Sequence, residues 1–410
     1  MPFSLYNFAR RCFWSLPYLL RYHLYGARNA LMRWFRWLSI IAGRKARDLA
    51  WVEFCNVALK GILYRAVIIL EPNIYWKVTL FQRPQQMALA LGRLGCLVIY
   101  KTNGDSLIGF RQMAENVWIA NDPAVNAIPN AVRVFYSTAP LTMPKGIHAA
   151  CRRGRVIYEY IDHMDAMISG GGSMVRHLRR MKQIAFNYAD IVVSSAAVLH
   201  EEALAHSKAK HCALIPNGAD VRHFRDVPPL MDLPEPLRSF RGGYQRIVGY
   251  FGAIAPWLWY EAIEQASVLM PDVGFAFIGQ DYHGCITRLP KRSNVIYLGP
   301  VDYAFLPAYA RLFDVCFIPF RPGDVARTTS PVKLFEYFAL EKPVVVTANM
   351  SECVAFPGVF SGSDAIGLTE AINNAFAVCG EESYCIKLRG LADKNSWDVR
   401  AGAYLSALES

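Results

Sequence analysis

From about residue 60 onward, short apolar runs alternate with longer segments in which apolar residues recur every three or four positions. The runs are rich in Val and Ile and are apolar throughout, which is typical of strands buried on both faces of a parallel sheet. The first series is RAVIIL, CLVIYKT, NVWIAN, VRVFYST, RVIYEYI, DIVVSS and CALIPN, and the second is RIVGYFGAI, VGFAFIG, NVIYLG, DVCFIPF and PVVVTA. Helical periodicity between runs, notably at residues 83–94 and 173–188, predicts an α/β chain with parallel sheets.

The two series are separated by RDVPPLMDLPEPLRSFRGGYQ, which is rich in Pro and Gly and weak in periodicity. This composition predicts a linker at 225–245 between two doubly wound domains, 61–224 and 246–395. SWDVRAGAYLSAL predicts a closing helix within 396–410. Ligands of such sheets bind beyond the carboxyl ends of the strands, so we expect the site in a cleft between the domains.

Charge is unevenly distributed along the 410 residues, whose formal net charge is +11. Residues 1–47 contain nine Lys or Arg and no Asp or Glu, which leaves +2 for the remainder. The basic character therefore belongs to a leader segment and does not indicate a nucleic-acid groove. The ten cysteines form no CxxC pair and no His/Cys cluster with zinc spacing. This spacing argues against a structural metal site and against a thioredoxin-like redox site. A chain of this size without paired cysteines fits a reducing cytoplasm.

Residues 1–60 combine arginines with aromatic and leucine side chains. The longest charge-free apolar stretch, 12–20, is shorter than the roughly 20 residues that cross a bilayer. On a helical wheel the arginines lie on one side and Leu and Trp largely on the other, and Pro17 divides the segment into two helices. The pattern predicts amphipathic helices on an anionic membrane surface. The alternative is a helical hairpin packed on the protein or on a partner.

In the second domain, FIPFRPGDVARTTSPVKLFEY follows a predicted strand. Ser330 is the expected N-cap and Pro331 the first residue of the next helix. A helix N-terminus with free N–H groups suits a phosphate or diphosphate, and three cations lie nearby: Arg321, Arg327 and Lys333. Glu336, one turn into the helix, is placed to accept hydrogen bonds from two vicinal hydroxyls. The alternative is a capped surface helix with an i,i+3 Lys–Glu pair.

A second candidate in this domain is the turn in GYFGAIAP, where Gly252 would let a diphosphate approach the backbone. Any strand-to-helix turn can carry such a glycine, so this feature alone does not specify a ligand.

In the first domain, YEYIDHMDAMISGGG places Asp162, His163 and Asp165 just after a strand. Acid–base groups at this position could deprotonate an acceptor hydroxyl. The alternative is that Asp162 caps a helix beside a flexible surface loop.

Two further features of the first domain are candidates for the acceptor side. Arg83 begins the first predicted helix, where it could bind an anionic acceptor group or be a solvated helix start. Asn217 and Gly218, in IPNGAD, form a turn dipeptide after the last strand.

Several catalytic motifs are missing from the sequence. There is no GxxxxGK[ST] loop, no GxSxG elbow, and no acidic pair at a strand end of the kind that metal-dependent transferases use. The missing GxxxxGK[ST] loop excludes an NTPase of that class. We expect no cofactor.

Taken together, these segments resemble the GT-B glycosyltransferases, specifically family 4 and its teichuronic-acid-type relatives. SPVKLFEYFALEKPVVV resembles the signature of the C-terminal domain, and FQRPQQMALALGRLG, YEYID, ADIVVSS, LIPNGADVRHF and GYFGAI resemble the same group in the same order. The similarity covers roughly residues 65 to 400.

The resemblance implies two Rossmann-like domains facing a cleft and transfer of a sugar from a nucleotide-sugar donor without a metal. By this analogy Glu336 would hold the donor ribose, Lys333 and Arg321 would neutralise the diphosphate, and Gly252 would admit the donor. The Asp162 loop and Arg83 would face the acceptor.

The sequence departs from the family pattern at three places. Thr328 occupies the position of the upstream glutamate of a pair, GAIAPWLWYE carries no Arg or Lys, and ALEKP lacks the usual glycine. Because of the first two departures, stabilisation of the diphosphate would depend on Arg321, Arg327 and Lys333. They also leave the alternative that the chain is a non-catalytic member of the family.

The predicted function is transfer of a sugar to a glycan or lipid-linked acceptor at the inner face of the cell membrane, in envelope or capsular polysaccharide synthesis. If the retaining chemistry of the family holds, the leaving diphosphate helps to deprotonate the acceptor. If the enzyme inverts, Asp162 or Asp165 would be the general base, with His163 behind. The alternatives are a nucleotide-sugar epimerase and a non-catalytic scaffold.

Overall fold

The computed structural model describes residues 44–72, 74–78, 81–102, 107, 109–137, 144–165, 172–226 and 234–410. The chain divides into two units. Of the described residues, the smaller unit contains 44–62 and 109–110, and the larger unit contains the rest.

The smaller unit contains helix α1 (Arg44–Phe54), which continues into a π-helical turn at Cys55–Leu59. Its aromatic side chains pack together, with the Phe54 and Phe110 rings stacked at 4.3 Å and Trp51 5.6 Å from Phe110. The predicted amphipathic helices fall mostly on residues 1–43, which lie outside the described residues. None of the described helices is both long and apolar enough to cross a bilayer.

The first domain of the larger unit is built on an eight-stranded sheet with the order β3-β4-β2-β1-β5-β6-β7-β8. β1 pairs in parallel with both β2 and β5, so the chain reverses its direction of travel across the sheet beside β1. The strands are β1 (Val67–Glu71), β2 (Leu97–Lys101), β3 (Phe110–Ala114), β4 (Val117–Ala120), β5 (Val132–Tyr136), β6 (Val156–Tyr160), β7 (Ile191–Ser194) and β8 (His211–Leu214). The helices are α2 (Arg83–Arg93), α3 (Pro144–Cys151), α4 (Gly172–Tyr188), α5 (Ala197–His206) and α6 (Val221–Arg225), with a 3₁₀ turn at Pro123–Ala127.

The second domain is built on a six-stranded parallel sheet with the order β11-β10-β9-β12-β13-β14, which reverses beside β9. The strands are β9 (Arg246–Phe251), β10 (Val273–Ile278), β11 (Val295–Tyr297), β12 (Val315–Ile318), β13 (Val344–Thr347) and β14 (Val359–Gly362). The helices are α7 (Glu235–Gly243), α8 (Tyr260–Leu269), α9 (Leu306–Ala310), α10 (Asp324–Thr328), α11 (Val332–Ala339), α12 (Ser351–Val354), α13 (Ala365–Ala377), α14 (Glu382–Lys394) and α15 (Trp397–Glu409), with a 3₁₀ turn at Cys285–Arg288.

The two sheets confirm the predicted pair of doubly wound parallel-sheet domains. Every strand that the apolar runs predicted is present, and the structure adds β3 and β14. β3 escaped prediction because its FRQMA sequence is only partly buried and lacks an apolar run.

The predicted linker and the closing helix both pack into the hydrophobic cores of the domains. The segment predicted as a linker contains α7, whose Leu237 is fully buried and whose Phe240 belongs to the second domain's core. The closing helix α15 returns to the first domain, where Trp397 and Tyr404 join the hydrophobic core beside α2.

Candidate functional site

A cavity of about 350 Å³ lies between the two domains, beyond the carboxyl ends of β1 and β9. These are the two points at which the strand order reverses, where open α/β sheets bind their ligands. The first domain contributes Tyr75 and Gln82 to the lining, and the second domain contributes Gly252, Gln280 and Tyr282. A pocket contacted by both domains is the expected place for a two-substrate reaction.

Two glycines bring the turns after β9 and β10 into close contact. Gly252 and Gly279 have φ values of +140° and +144°, which side-chain-bearing residues rarely adopt. A Cβ at position 279 would lie 1.8 Å from the carbonyl oxygen of Gly252, so only glycine fits there. Gly252 was predicted from the sequence, whereas Gly279 was missed although it follows the VGFAFI strand directly.

Lys333, on the first turn of α11, reaches the Gly252 turn. A Cβ built on Gly252 would lie 2.7 Å from Cε and 3.2 Å from Nζ of Lys333. The ammonium group lies 5.4 Å from the ring centre of Tyr250 and 5.2 Å from that of Phe320, within the range of cation–π attraction. Burial lowers the Lys333 pKa to about 8, while the nearby Glu336 carboxylate acts in the opposite direction.

Glu336 lies one turn further along α11 and is 5% exposed. Burial raises the pKa of its carboxyl to about 8; the Lys333 charge acts against this shift and the Asp220 charge adds to it. At neutral pH the carboxyl is therefore mostly protonated beside a charged amine. A protonated carboxyl can both donate a hydrogen bond and accept one.

The predicted helix start is displaced by one residue, which changes the place of Ser330. The helix begins at Val332 with Pro331 as its N-cap residue, and no side chain caps it. Ser330 is 3% exposed; its hydroxyl accepts from the Asn217 backbone N–H at 3.3 Å, and its carbonyl accepts from Asn217 Nδ2 at 2.6 Å. Ser330 therefore joins the two domains instead of capping α11, contrary to the prediction.

The other two predicted cations are more exposed than Lys333. Arg327 forms a surface ion pair with Asp324 at 2.7 Å. Arg321 is exposed three residues after the end of β12, and its backbone N–H donates to the Trp257 carbonyl. Thr328, at the position of the family's upstream glutamate, is buried and donates its hydroxyl hydrogen to the Asp324 carbonyl.

Arg83 is neither a solvated helix start nor an exposed anion-binding group, since it is 1% exposed. Its Nε and Nη2 donate to Glu159 Oε1 at 3.2 and 3.1 Å. Its Nη1 donates to the carbonyls of Ile215 and Pro216 and to Asn217 Oδ1. These bonds tie α2 to β6 and to the end of β8, so Arg83 holds the first domain together.

Asn217 and Gly218 are likewise buried at the junction with the C-terminal helix. A Cβ at Gly218 would lie 2.5 Å from the carbonyl oxygen of Asn395. The next residue, Ala219, donates its N–H to the same carbonyl and accepts from the Trp397 N–H. The turn dipeptide thus positions α15 and connects to Ser330, and its predicted acceptor-side role stays a prediction.

The Asp162 loop follows β6 at the carboxyl edge of the first sheet. The Asp162 side chain is accessible to solvent, yet the surrounding protein displaces enough water to raise its pKa to about 6. His163 and Asp165 are half-buried beside it, and Asp165 N–H donates to the His163 carbonyl at 3.0 Å. Residues 166–171, which include two of the predicted loop glycines, lie outside the described residues.

Tyr303, like Gly279, was not predicted from the sequence. Tyr303 belongs to the second domain, and its hydroxyl accepts from Gln86 Nε2 of the first domain at 2.7 Å. Its ring lies 5.5 Å from Phe81 and 4.3 Å from His223, and the Glu336 charge adds to the effect of burial in raising its pKa. An isolated tyrosine in a loop carries no sequence signal for such a contact between domains.

Among the described residues, no group of three or more His, Cys, Asp or Glu side chains is arranged to hold a metal ion.

Comparisons with known proteins agree with this architecture. No family model matches the chain. It is 29% identical over 261 residues to the Bacillus subtilis (strain 168) protein named "Putative teichuronic acid biosynthesis glycosyltransferase TuaH", a match that covers 60% of this chain and 64% of that protein's length.

Two solved structures share the fold at lower identity. Sucrose-phosphate synthase from Thermosynechococcus elongatus superposes with a TM-score of 0.60 at 14% identity, over 84% of this chain and 98% of that one. Anabaena HepE in complex with UDP superposes with a TM-score of 0.57 at 15% identity, over 84% and 99%. The chain therefore has the GT-B fold that its sequence motifs implied, with two parallel-sheet domains facing a cleft.

Proposed function

We propose that the chain is a glycosyltransferase that moves a sugar from a nucleotide-sugar donor to a glycan or lipid-linked acceptor. The observation that carries this proposal is the position of Lys333 and Glu336 on one helix, with the Lys333 amine against the Gly252 turn in the cleft between the domains. The similarity to a protein named for teichuronic acid biosynthesis supports polysaccharide synthesis as the process.

In this proposal the donor diphosphate lies against the Gly252 turn and the Lys333 amine. Departure of the nucleoside diphosphate develops negative charge, which a fixed cation and the free N–H groups at the start of α11 stabilise. Because Glu336 is mostly protonated at neutral pH, it does not cancel the Lys333 charge, and its carboxyl can bind the ribose hydroxyls. Arg321, exposed after β12, is the second cation that we assign to the diphosphate, and no metal ion is required.

The acceptor would bind on the first domain beside Asp162. We propose retention of configuration, in which the leaving diphosphate takes the acceptor proton and Asp162 orients the acceptor hydroxyl. Under inversion, the carboxylate of Asp162 would itself take that proton, with Asp165 and His163 as the other candidates.

Calorimetric titration with UDP, GDP, ADP and CMP tests the donor site directly. UDP comes first because HepE, which shares the fold, was solved with UDP. We expect one nucleotide to bind wild type and to lose at least tenfold in affinity with Lys333→Ala. Lys291→Ala, which removes an exposed lysine elsewhere in the second domain, is the matched control and should leave the affinity unchanged. If none of the four binds, the non-catalytic scaffold replaces the glycosyltransferase proposal.

We propose further that the protein works at the cytoplasmic face of the membrane, held there by residues 1–60. The observation in support is the concentration of nine Lys or Arg and no acid in residues 1–47. Removing residues 1–60 should release the protein from anionic liposomes while nucleotide binding persists. Equal sedimentation of the truncated and full chains with liposomes would contradict this membrane role.

A further inference from the structure

Asn217 lies at the junction of the two domains, and all four of its polar groups are engaged by other segments of the chain. The residue is 7% exposed. Its backbone N–H donates to Ser330 Oγ at 3.3 Å, and its Nδ2 donates to the Ser330 carbonyl at 2.6 Å. Its Oδ1 accepts from Arg83 Nη1 at 3.3 Å, and its carbonyl accepts from Arg400 Nε at 3.1 Å. Asn217 therefore connects α2 and α15 to the segment that precedes α11.

The start of helix α11 depends on the bonds that Asn217 makes. No side chain caps this helix, and its Leu334 N–H donates to the Pro331 carbonyl at 3.1 Å. The Ser330 carbonyl, one residue earlier, accepts from the Asn217 amide, and the 2.6 Å distance is shorter than the roughly 2.9–3.0 Å that is usual for such bonds. Asn217 thus holds the backbone three residues before Lys333.

The first turn of α11 packs on both domains. Val332 packs against the hydrophobic core of the first domain, whereas Leu334 and Phe335 belong to the core of the second. The Arg400 guanidinium, which bonds to Asn217, lies 5.7 Å from the ring centre of Phe335. Lys333 is therefore carried by a turn whose position is set by contacts with the first domain as well as with the second.

The site that Lys333 occupies leaves little room for displacement. Its Cε and Nζ lie 2.7 and 3.2 Å from the point at which a Cβ on Gly252 would stand. The ring centres of Tyr250 and Phe320 lie 5.4 and 5.2 Å from its ammonium nitrogen. A shift of about 1 Å in a positioned group can cost up to ~100-fold in function. A residue that fixes the start of α11 therefore also controls how well Lys333 meets a ligand at the Gly252 turn.

We infer that Asn217 is a positioning residue for the donor site, which holds the start of α11 and, through it, the Lys333 amine. Asn217 does not line the cleft cavity, so it acts through Ser330 and not by touching the donor. The inference rests on the proposed function, since it takes the Gly252 turn and Lys333 as the binding site of the donor diphosphate. It gives the turn dipeptide a donor-side role, although the sequence predicted an acceptor-side one.

The test uses two substitutions of Asn217. Asn217→Ala removes both side-chain bonds. Asn217→Asp keeps an oxygen for Arg83 Nη1 but has no hydrogen to donate to the Ser330 carbonyl, which its carboxylate repels. Because the carboxylate also lies beside the Arg83 and Arg400 guanidinium groups, we expect the Asp variant to fold and to isolate the bond to Ser330.

The matched control is Asn294→Ala, which removes another buried asparagine of the second domain. Asn294 is 2% exposed, and its Nδ2 donates to the carbonyls of Ser267, Met270 and Val273, away from α11. Calorimetry with UDP, and with GDP, ADP and CMP if UDP does not bind, measures affinity, while urea unfolding measures stability. We expect both Asn217 variants to bind nucleotide at least about tenfold more weakly than wild type. Asn294→Ala should lose stability but change affinity less than about twofold.

A double-mutant cycle separates positioning of Lys333 from a general structural role. In the Lys333→Ala background, Asn217→Ala should weaken nucleotide binding less than about threefold further, because the amine that it positions is gone. The stability loss caused by Asn217→Ala should be the same in both backgrounds. A full tenfold loss in the Lys333→Ala background would overturn the inference, since Asn217 would then act on the donor site by another route.

The remaining outcomes distinguish this inference from the proposed function. If wild type binds a nucleotide and both Asn217 variants bind it equally well, the inference is wrong and the proposed donor site stands. An affinity loss in Asn294→Ala as large as that in the Asn217 variants would assign the effect to stability and would also overturn the inference. If wild type binds none of the four nucleotides, the proposed function fails and the inference fails with it.

Discussion

The Cε atom of Lys333 lies 2.7 Å from the point at which a Cβ on Gly252 would stand. The glycine and the lysine therefore depend on each other, because any larger residue at position 252 must displace the lysine or the backbone. The Tyr250 and Phe320 ring centres lie 5.4 and 5.2 Å from the ammonium nitrogen. Together these contacts fix a cation at the turn after β9, where the sequence around that turn supplies none.

Gly252→Ala should therefore damage nucleotide binding as well as stability. The new Cβ meets the lysine, and φ of +140° strains an alanine, so we expect a stability loss of about 1–3 kcal/mol and at least tenfold weaker nucleotide binding. Urea unfolding and calorimetry measure the two effects. Gly284→Ala is the matched control, since φ there is +77° and no atom lies within 4 Å of the added Cβ. Similar stability losses in both variants, with nucleotide affinity unchanged in both, would refute the link between Gly252 and the Lys333 site.

Glu336→Gln should keep most of the nucleotide affinity at pH 7, whereas Glu336→Ala should lose it. Glutamine imitates the protonated carboxyl that a pKa of about 8 implies, but alanine offers nothing to the ribose hydroxyls. We expect a change of less than about threefold for Gln and more than tenfold for Ala, by calorimetry. Wild-type affinity should also weaken as pH rises through 8, because Glu336 gains and Lys333 loses charge. Ala and Gln variants with equal affinity would remove Glu336 from the ribose.

The same two groups predict a minimum in stability near pH 8. Glu336 has a folded-state pKa above its ordinary 4.5, so its contribution is full below pH 4.5 and is lost as pH rises to 8. Lys333 has a folded-state pKa below its ordinary 10.5, so its contribution is full above pH 10.5 and is lost as pH falls to 8. Urea unfolding between pH 5 and 10 should show the minimum in wild type. The double variant Lys333→Met, Glu336→Gln should lack it, and persistence of the same minimum would assign it to other groups.

The sequence predicted those parts of the site that follow local rules. Lys333 and Glu336 were selected because a helix start after a strand is a place where polar groups can meet a ligand. Gly252 was selected because a glycine in a strand-to-helix turn lets a diphosphate approach the backbone. Arg83 satisfied the same local rule and was misinterpreted, since its burial depends on Glu159, 76 residues away. Ser330 and Tyr303 were beyond local reasoning because their partners, Asn217 and Gln86, belong to the other domain.

Arg83→Met should destabilise the first domain strongly. Removing the guanidinium leaves the Glu159 carboxylate, 3% exposed, without its ion-pair partner, which typically costs about 3–5 kcal/mol. Urea unfolding should show this loss, and adding Glu159→Gln should recover part of it because the isolated charge is gone. Arg93→Met, which breaks the exposed pair with Asp398, is the control and should cost less than about 1 kcal/mol. A loss of acceptor use at unchanged stability in Arg83→Met would instead return Arg83 to the acceptor side.

Asp162→Asn distinguishes the two mechanisms that the fold permits. If the carboxylate of Asp162 takes the acceptor proton, the wild-type rate should rise as pH increases through its pKa of about 6 and level off above it. In the Asn variant the rate should be at least ~100-fold lower and should no longer depend on pH in this range. If the leaving diphosphate takes the proton, Asn preserves the hydrogen bonds that orient the acceptor and the rate should fall less than about tenfold. Initial rates from pH 5 to 8, with the donor identified by calorimetry, measure the difference. Asp165→Asn is the control. If the pH dependence is lost in Asp165→Asn and kept in Asp162→Asn, Asp165 is the general base. Nucleotide affinity should stay constant in both variants, since neither carboxylate lines the cleft cavity.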